Sequence, residues 1–350
     1  MQNIEVRSQR KWKAVGNHGE TQRQPLIEGN FYRFNNNTKN DFHSLRRNEM
    51  KKILITILGI LTLMTVFGRA EAKEDCLIMG LIPAEDPRAM IEQYTPMKNW
   101  MEKELRVCIK IFTATDYTGV IEAMRAKKVD FAWFGPFSYV LAHERAGAEA
   151  FAVGMDGKGN TTYRSYLVAT PEAAQKFGIS NPPEGEAGMK ALAEKLNNHK
   201  KEFTLTFTDT ASTSGYAVPR YFMHKAGIDP DKMFKKVGFI GTHDAAELVV
   251  KNKIIDIAAD NDVSYPKMLE KGQISSQSNV IIWKSPELPG SPLAYRSDLS
   301  ENIKAGLKKA ITSVPKDVVT GYGKITGYKL VTDRDYGLIK DVKKVIDSLK

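Results

Sequence analysis

The stretch "DYTGVIEAMRAKKVDFAWFGPFSY", residues 116–139, decides the fold class of this chain. Its first half places Val120 and Ile121 on one side of a helix, and the apolar run "VDFAWFG" (129–135) that follows has the pattern of a buried strand. A second helical segment, "FSYVLAHERAGA" (137–148), comes directly after it. A short apolar strand between two helices is typical of parallel architecture, so we predict an α/β fold.

The same alternation continues on both sides of this stretch. Before it, the apolar runs "CLIMGLI" (76–82) and "VCIKIFTA" (107–114) flank the helical segment "YTPMKNWMEKEL" (94–105). A second unit alternates strands such as "FTLTF" (203–207) with helices and ends in an extended, Pro-rich return, "NVIIWKSPELPGSPLAYR" (279–296). Two such units predict two lobes with a ligand cleft between them. The predicted lobes are residues 73–165 plus 290–350 (lobe 1) and residues 166–289 (lobe 2).

Length, composition and charge indicate a soluble globular protein. The 350 residues are enough for one large or two medium domains, and 42% hydrophobic with 26% charged residues is ordinary for that class. The net charge is +10, but residues 1–49 carry nine Lys or Arg against five Asp or Glu, and residues 50–72 carry three against one. Residues 73–350 therefore have a net charge of only +4 and no Lys/Arg stripe, which argues against nucleic-acid binding.

An export signal begins at Met50. Two lysines precede an uncharged apolar run of 15 residues that ends at Phe67, and Ala70-Glu71-Ala72 has the form of a cleavage site. This pattern predicts a secretory signal peptide over residues 50–72, and hence an exported protein that is not integral to the membrane once processed. The run is shorter than the roughly 20 apolar residues of a transmembrane helix, and a signal anchor is the alternative.

Residues 1–49 are polar, rich in Asn, Arg and Gln, and without periodicity. Because a signal peptide belongs at the N-terminus, we expect Met50 to be the true start and residues 1–49 to follow from a misassigned start codon. Arg46 and Arg47 support this, since the codons AGG-AGG would form a bacterial ribosome-binding sequence just upstream of Met50. The alternative is a genuine disordered extension, and CGN codons at the two arginines would remove the support for the misassigned start.

Two cysteines remain in the processed chain. Cys76 and Cys108 each lie near the start of a predicted strand, so the two side chains meet if those strands are parallel neighbours. Export permits a disulfide between them. Two buried free thiols are an equal alternative, because cysteine is common in protein cores.

The segment "DTASTSG" (209–215) places three adjacent hydroxyls, Ser212, Thr213 and Ser214, between a predicted strand and a predicted helix. A helix N-terminus offers free backbone N–H groups to an anion, and hydroxyls add further donors. The alternative is an ordinary N-cap with its spare hydroxyls in solvent, and the segment alone fits both.

Other side chains at strand ends are candidates for the same site. His243 begins a helix and can donate to an anion, although a lone histidine there is commonly a capping or surface residue. Asp260 ends a strand, and its carboxylate can accept a hydrogen bond from a singly protonated ligand and so select that form; loop solvation or helix capping is the alternative. Tyr117, Tyr163 and Tyr166 can donate O–H groups to a small ligand or simply pack at lobe surfaces.

The sequence lacks the usual signatures of catalysis. No GxSxG, HExxH, Walker A or CxxC motif occurs, and the six histidines do not cluster as metal ligands. Ser214, His243 and Asp244 have the residue types of a hydrolytic triad, but an adjacent His and Asp cannot easily orient one another. We therefore expect no catalytic residues, no metal and no cofactor.

Residues 76–300 resemble the periplasmic phosphonate/phosphite-binding proteins of ABC transporters. Four segments carry the resemblance: "DYTGVIEAMRAKKVDFAWFGPFSY", "STSGYAVPRYF", "GTHDAAELVVKNKIIDIAADND" and "IIWKSPELPGSPLAYR". The resemblance implies a two-lobed type II periplasmic binding fold, a small phosphorus oxyanion held in the interlobe cleft, and an ABC permease and ATPase as partners. We expect a monomer. A ligand sensor for a membrane receptor and, less in keeping with the sequence, a phosphate or phosphonate ester hydrolase are the alternatives.

The resemblance also implies which residues bind the ligand. By position in the motifs they are Ser212, Thr213, Ser214, His243, Tyr117 and Tyr163. Binders of aminoalkylphosphonates resemble one another in two carboxylates that meet the ligand's ammonium group, and Val263 and Ser291 stand at those positions here. Because a buried ammonium without a carboxylate partner is costly, we expect a ligand without a cationic tail. Phosphite and methylphosphonate are favoured, with hypophosphite and phosphate as alternatives.

Overall fold

The fold is described from a computed structural model of the chain, which describes Met50 and residues 76–349. The predictions made for residues 1–49 and for the signal peptide after Met50 lie outside the described residues. Residues 76–349 form two lobes, each built on one β-sheet with helices packed against it. Within this described part of the chain, no helix is both long enough and apolar enough to cross a bilayer.

The regular elements alternate along the chain as the sequence predicts. The strands are β1 (Leu77–Leu81), β2 (Ile109–Thr113), β3 (Phe131–Trp133), β4 (Ala148–Met155), β5 (Thr162–Tyr163), β6 (Ser165–Ala169), β7 (Thr204–Phe207), β8 (Lys236–Phe239), β9 (Ile257–Asn261), β10 (Val280–Lys284), β11 (Leu288–Pro289), β12 (Pro292–Arg296) and β13 (Gly327–Leu330). The helices are α1 (Pro87–Leu105), α2 (Tyr117–Arg125), α3 (Pro136–Ala146), α4 (Pro171–Phe177), α5 (Gly185–Asn197), α6 (Val218–Lys225), α7 (Pro230–Met233), α8 (His243–Lys251), α9 (Ser264–Glu270), α10 (Glu301–Thr312) and α11 (Gly337–Ser348).

Lobe 1 contains a six-stranded sheet in the order β13-β4-β12-β3-β1-β2. Strand β1 pairs in parallel with β2 and β3, whereas β12 runs antiparallel to β3 and β4. The chain therefore returns to the sheet of lobe 1 through β12 after it has completed lobe 2. Met79, Leu81, Phe131 and Leu293 of this sheet are buried in one core with α1, α2, α3, α10 and α11. Burial of each such side chain contributes about 1.5–3 kcal/mol.

Helix α1 begins earlier than the apolar pattern predicts. The predicted segment starts at Tyr94, but the helix starts at Pro87, whose fixed φ suits the first helical position. The Asp86 carboxylate accepts hydrogen bonds from the backbone N–H groups of Arg88 and Ala89, both at 3.0 Å. An Asp-Pro start signal therefore outweighs the gap in the apolar pattern.

Cys76 and Cys108 form a disulfide. The register of β1 and β2 pairs Leu77 with Ile109, and this brings the Cα atoms of the two preceding cysteines to 4.5 Å. Of the two alternatives left by the sequence, the structure has the bridge. Strand β2 lies at the edge of this sheet, next to β1, and the disulfide links the residues that precede these two strands. The bridge therefore fastens the edge strand to its neighbour.

Lobe 2 contains a five-stranded sheet in the order β10-β6-β9-β7-β8. Strand β7 is parallel to β8 and β9, and β6 is antiparallel to β9 and β10. Leu205, Phe207, Ile257 and Trp283 are buried in its main core, against helices that include α4, α5 and α6.

Two crossing segments join the lobes. The chain leaves lobe 1 after β4 and returns to it before β12, and between these points β5 and β11 pair as a short antiparallel ladder. Gly290 follows β11, where an added Cβ would lie 2.3 Å from the carbonyl oxygen of Thr161. Only glycine fits so close to the other crossing segment, so Gly290 allows the two segments to pack at this distance.

Candidate functional site

A small cavity of about 20 Å³ lies between the lobes, at the carboxyl ends of β1, β3, β7 and β9. Its lining residues are Ile82, Ala84, Tyr117, Trp133, Gly135, Tyr163, Ser212, Thr213, Ser214, His243, Asn261, Ser291 and Tyr322. Six of the seven predicted ligand residues are therefore brought together, and Asp260 is the exception. No Lys or Arg is among these lining residues, all of which belong to the described part of the chain. Across residues 76–349, no group of three His, Cys, Asp or Glu side chains is placed to hold a metal ion.

Thr213 and Ser214 begin a π-helical turn, Thr213–Ala217, and Ser212 is its N-cap, so the three hydroxyls do not lie on the first turn of an α-helix. Helix α6 begins only after this turn, at Val218. The turn requires Gly215, because a Cβ at that position would lie 2.0 Å from Thr208 Oγ1. Such wide turns occur frequently at functional sites, and here the turn carries consecutive side chains to the cavity.

Each of the three hydroxyl oxygens already accepts a hydrogen bond from the protein. The pairs are Ser212 Oγ with the Gly215 N–H (3.1 Å), Thr213 Oγ1 with the Phe137 N–H (2.8 Å), and Ser214 Oγ with the Asn261 amide (3.3 Å). A hydroxyl that accepts from a fixed donor directs its own proton elsewhere. Each hydroxyl can therefore donate its own proton, and the phenols of Tyr117 and Tyr163 lie within hydrogen-bonding reach of these three groups. Ser212 Oγ caps the turn, Thr213 Oγ1 accepts from Phe137 of lobe 1 across the cleft, and Ser214 Oγ accepts from Asn261 within lobe 2.

His243 begins α8, and its backbone N–H donates to the Ala84 carbonyl of lobe 1 at 2.9 Å. Its Nδ1 lies 2.7 Å from Asp260 Oδ1. Burial lowers the pKa of His243 to about 4, so the ligand-free imidazole is neutral at neutral pH.

Asp260 lies behind His243 and not in the cavity, which corrects the expectation of direct contact with the ligand. Its side chain is completely buried, and burial raises its pKa to about 7. The physical reason is strand geometry: successive residues of β9 face opposite sides, so Asn261 lines the cavity while Asp260 faces α8.

The tyrosines differ in their placement. Tyr117 begins α2, and its backbone N–H donates to Asp209 Oδ2 of lobe 2 at 3.3 Å. Burial raises the pKa of Tyr117 and of Tyr163, so both phenols remain neutral donors. Tyr166 does not line the cavity; its ring packs edge-on against Tyr265.

Trp133, Asn261 and Tyr322 line the cavity and were not predicted as site residues. The rings of Trp133 and Tyr322 lie 5.1 Å apart, and the Tyr322 hydroxyl lies 3.2 Å from Asn261 Nδ2. Trp133 and Asn261 belong to segments that end predicted strands, and ligands bind at such strand ends, so their position in the sequence could have identified them as site residues. Tyr322 comes from "TGYGKITG" (320–327), which carries no local signal of a site.

Polar contacts between the lobes flank the cavity. Lys267 of α9 forms a salt bridge with the buried Glu85 and lies 3.3 Å from Gln93 Oε1 of α1. An exposed pair, Lys324 with Glu270 at 2.5 Å, crosses the same cleft. Both pairs join a residue of lobe 1 to one of lobe 2.

Glu85→Gln is expected to weaken ligand binding by about threefold to tenfold, mainly through faster dissociation, because it removes the buried charge that pairs with Lys267 in the closed state. Calorimetry and stopped-flow fluorescence measure the two effects. Glu270→Gln is the matched control, because it removes an exposed pair across the same cleft and is expected to change little. Equal losses in the two variants would contradict a specific role for Glu85.

Comparisons with known proteins agree with this geometry. Residues 79–336 match the model of a family described as "ABC transporter, phosphonate, periplasmic substrate-binding protein". The chain is 32% identical over 267 residues to the phosphonates-binding periplasmic protein of Escherichia coli (strain K12). The aligned region covers 76% of this chain and 72% of that protein.

Two solved structures share the fold. The binding-protein component of an ABC phosphonate transporter from Pseudomonas aeruginosa is 28% identical, with a TM-score of 0.66 over 77% of this chain and 86% of that one. PhnD1 from Prochlorococcus marinus (MIT 9301), solved in complex with methylphosphonate, is 22% identical, with a TM-score of 0.67 over 79% of this chain and 99% of that one. The chain belongs to the family of periplasmic substrate-binding proteins of phosphonate ABC transporters, and it has the two-lobed type II periplasmic binding fold.

Proposed function

We propose that this protein binds a small phosphorus oxyanion without a cationic substituent, phosphite or methylphosphonate, and delivers it to an ABC permease and ATPase. The observation that carries the proposal is the convergence of O–H donors from Ser212, Thr213 and Ser214 in a cavity lined by no Lys or Arg. Such a lining replaces the water shell of an oxyanion with oriented neutral donors. Tyr117, Tyr163 and His243 complete the proposed ligand contacts.

The environment next to the cavity supports a ligand without an ammonium group. A wider cavity of about 250 Å³ adjoins it, with Val263 and Ser291 among its lining residues. Asp156 and Asp262 also line it, but each already accepts hydrogen bonds from backbone N–H groups of the protein. Burial raises the pKa of Asp262, which disfavours a charged carboxylate there, and no carboxylate stands at positions 263 and 291, so an ammonium placed here would lose its water shell for little compensation.

The proposed cycle requires only closure and opening of the lobes. Lobe 1 would comprise residues 73–165 plus 290–350 and lobe 2 residues 166–289, with the β5–β11 ladder as the hinge. The proposed precursor starts at Met50 and loses residues 50–72 on export, and the processed protein acts in the periplasm as a monomer.

Calorimetry on the processed protein, purified from the periplasm of an expression host, tests the choice of ligand. Phosphite or methylphosphonate is expected to bind at least about tenfold more tightly than 2-aminoethylphosphonate, because Val263 and Ser291 offer no carboxylate to a buried ammonium. Phosphate completes the set, since it differs from both ligands by one small group. Tightest binding of 2-aminoethylphosphonate would contradict the proposal.

A paired substitution sharpens the same test. Val263→Glu with Ser291→Asp is expected to raise the affinity for 2-aminoethylphosphonate relative to methylphosphonate, because it supplies two carboxylates beside the cavity. Val263→Gln with Ser291→Asn is the matched control, which adds the same volume without the charge. An equal change in both pairs would assign the effect to shape and not to charge.

A further inference from the structure

The contact with Asp260 determines which nitrogen of His243 carries the proton, and Asn261 packs over the ring. Asn261 Oδ1 accepts hydrogen bonds from the backbone N–H groups of Val263 (2.9 Å) and Ser264 (2.8 Å), which fixes the amide. Its Nδ2 group therefore faces the imidazole and lies 3.1 Å from His243 Nδ1 and 3.3 Å from His243 Nε2, over the face of the ring, so it leaves the in-plane positions of both nitrogens to other partners. Since His243 Nδ1 lies 2.7 Å from Asp260 Oδ1, the arrangement that satisfies every group is Nδ1–H donating to Asp260 and a lone pair on Nε2.

A second carboxyl group, Glu247, lies behind Asp260. Glu247 is one turn after His243 on α8, and both carboxyl side chains are completely buried. Glu247 Oε2 lies 2.5 Å from Asn279 Nδ2, while Glu247 Oε1 and Asp260 Oδ2 have no donor among the other described residues. The two side chains nevertheless lie within hydrogen-bonding distance of each other. A single proton between these two oxygens satisfies both.

We propose that Glu247 is a positioning residue that donates a proton to Asp260, holds His243 as its Nδ1–H tautomer, and thereby makes the site bind one proton together with its oxyanion. This inference rests on the proposed function, since it concerns how the same cavity receives a phosphorus oxyanion.

The charges around His243 show why the proton on its imidazole decides the charge that the site presents to a ligand. The titratable and charged groups that face it or lie close by are Glu85, Asp209, Asp244, Glu247, Asp260, the Glu85-paired Lys267, Tyr117 and Tyr322. Burial raises the pKa of Glu247, which agrees with a protonated carboxyl group. With no Lys or Arg in the lining, the imidazolium of His243 is the one cation that the described lining residues can generate at the ligand.

A lone pair on His243 Nε2 distinguishes oxyanions that carry a proton from those that do not. A singly protonated oxyanion donates its P–O–H group to Nε2 and binds without net proton uptake. A doubly charged oxyanion requires one proton from solvent, which is shared between Nε2 and a ligand oxygen in the complex. Sulfate retains no proton near neutral pH, so it must bear the whole cost of protonating a buried imidazole. The site therefore selects oxyanions that keep one proton near neutral pH.

Long-range ¹H–¹⁵N NMR of the ligand-free processed protein tests the tautomer directly, with a His243→Gln sample to assign the signal. The expected spectrum at pH 8 has the chemical shifts of a neutral Nδ1–H imidazole. Glu247→Leu is expected to shift the ring toward the Nε2–H tautomer, because Asp260, without the Glu247 donor, takes up a proton from solvent and donates it to Nδ1. Glu247→Gln, whose amide still donates to Asp260, is expected to restore the wild-type signal.

Calorimetry in buffers of different ionisation enthalpy counts the protons that accompany phosphite or methylphosphonate. Above the ligand's second ionisation, uptake is expected to approach one proton per ligand, and the apparent affinity should fall about tenfold per pH unit. Sulfate is expected to bind at least about a hundredfold more weakly than the better of the two ligands. In Glu247→Leu the uptake should be lost, whereas in Glu247→Gln it should be retained.

Opposite results in these measurements overturn the inference. An Nε2–H or doubly protonated His243 in the ligand-free protein, or tight binding without proton uptake above the ligand's second ionisation, would do so. Tighter oxyanion binding by Glu247→Gln would show that Glu247 carries a charge. These outcomes leave the proposed function standing, because that function fails if neither phosphite nor methylphosphonate binds or if 2-aminoethylphosphonate binds most tightly.

Discussion

Ser212→Ala combined with Thr213→Val is expected to weaken oxyanion binding by about a hundredfold or more. Each substitution removes an O–H donor from the cavity while keeping most of the side-chain volume. A hydrogen bond to a charged group contributes about 1.5–3 kcal/mol, and two such bonds in a site without a fixed cation account for a loss of this size. Calorimetry with phosphite and methylphosphonate measures the change.

A matched pair elsewhere in the chain controls for the loss of capping hydroxyls. Thr170 caps α4 by accepting from the Ala173 N–H at 3.3 Å, and Ser300 caps α10 by accepting from the Ile303 N–H at 3.4 Å. Thr170→Val with Ser300→Ala therefore removes the same two groups far from the cavity and is expected to leave binding unchanged. Normal binding by the Ser212/Thr213 double variant would exclude these hydroxyls as the site.

Cys76→Ser combined with Cys108→Ser is expected to lower the free energy of unfolding by about 3–4 kcal/mol. The bridge closes a loop between residues 32 apart in sequence, and the chain-entropy argument assigns a loss of this size to such a loop. The expected fall in Tm is about 5–7 °C for a processed protein of this length. Thermal unfolding of the processed protein, followed by circular dichroism, measures it.

Reduction of the wild-type protein provides the control for this prediction. Dithiothreitol should lower the Tm of the wild type to that of the double serine variant and leave the variant itself unchanged. Binding at low temperature should survive in both, because neither cysteine lines the cavity. A Tm equal to that of the oxidised wild type would mean that the pairing of β1 with β2 needs no covalent support.

The architecture followed from the sequence because its signals are local. Apolar runs of strand length, helical faces and Gly-Pro stops predicted the alternation of strands and helices, and the family comparison confirms the two-lobed fold. The same comparison favours transport over the sensor and hydrolase alternatives. Helix α1 was predicted too short, since its first turn is set by the Asp86 cap and not by apolar periodicity.

The site was harder to predict because it depends on contacts between distant segments. Asp260 and Asn261 are adjacent in sequence, and only the pairing of β9 decides which of them faces the cavity. Tyr322 reaches the cavity from a segment that no motif marks. The partners of the three hydroxyls come from as far away as Phe137. Sequence reasoning therefore identified side chains capable of binding an anion, but not the donors that orient them.

The absence of Lys and Arg from the cavity lining has a consequence for the medium in which the protein works. The periplasm exchanges small ions with the surroundings of the cell, so its ionic strength varies with the habitat. Mobile ions screen exposed charges strongly but act little on buried hydrogen-bond donors. A receptor whose anion contacts are oriented hydroxyls should therefore keep nearly the same affinity in dilute and in saline water. Titrations across a range of sodium chloride concentrations would reveal any dependence.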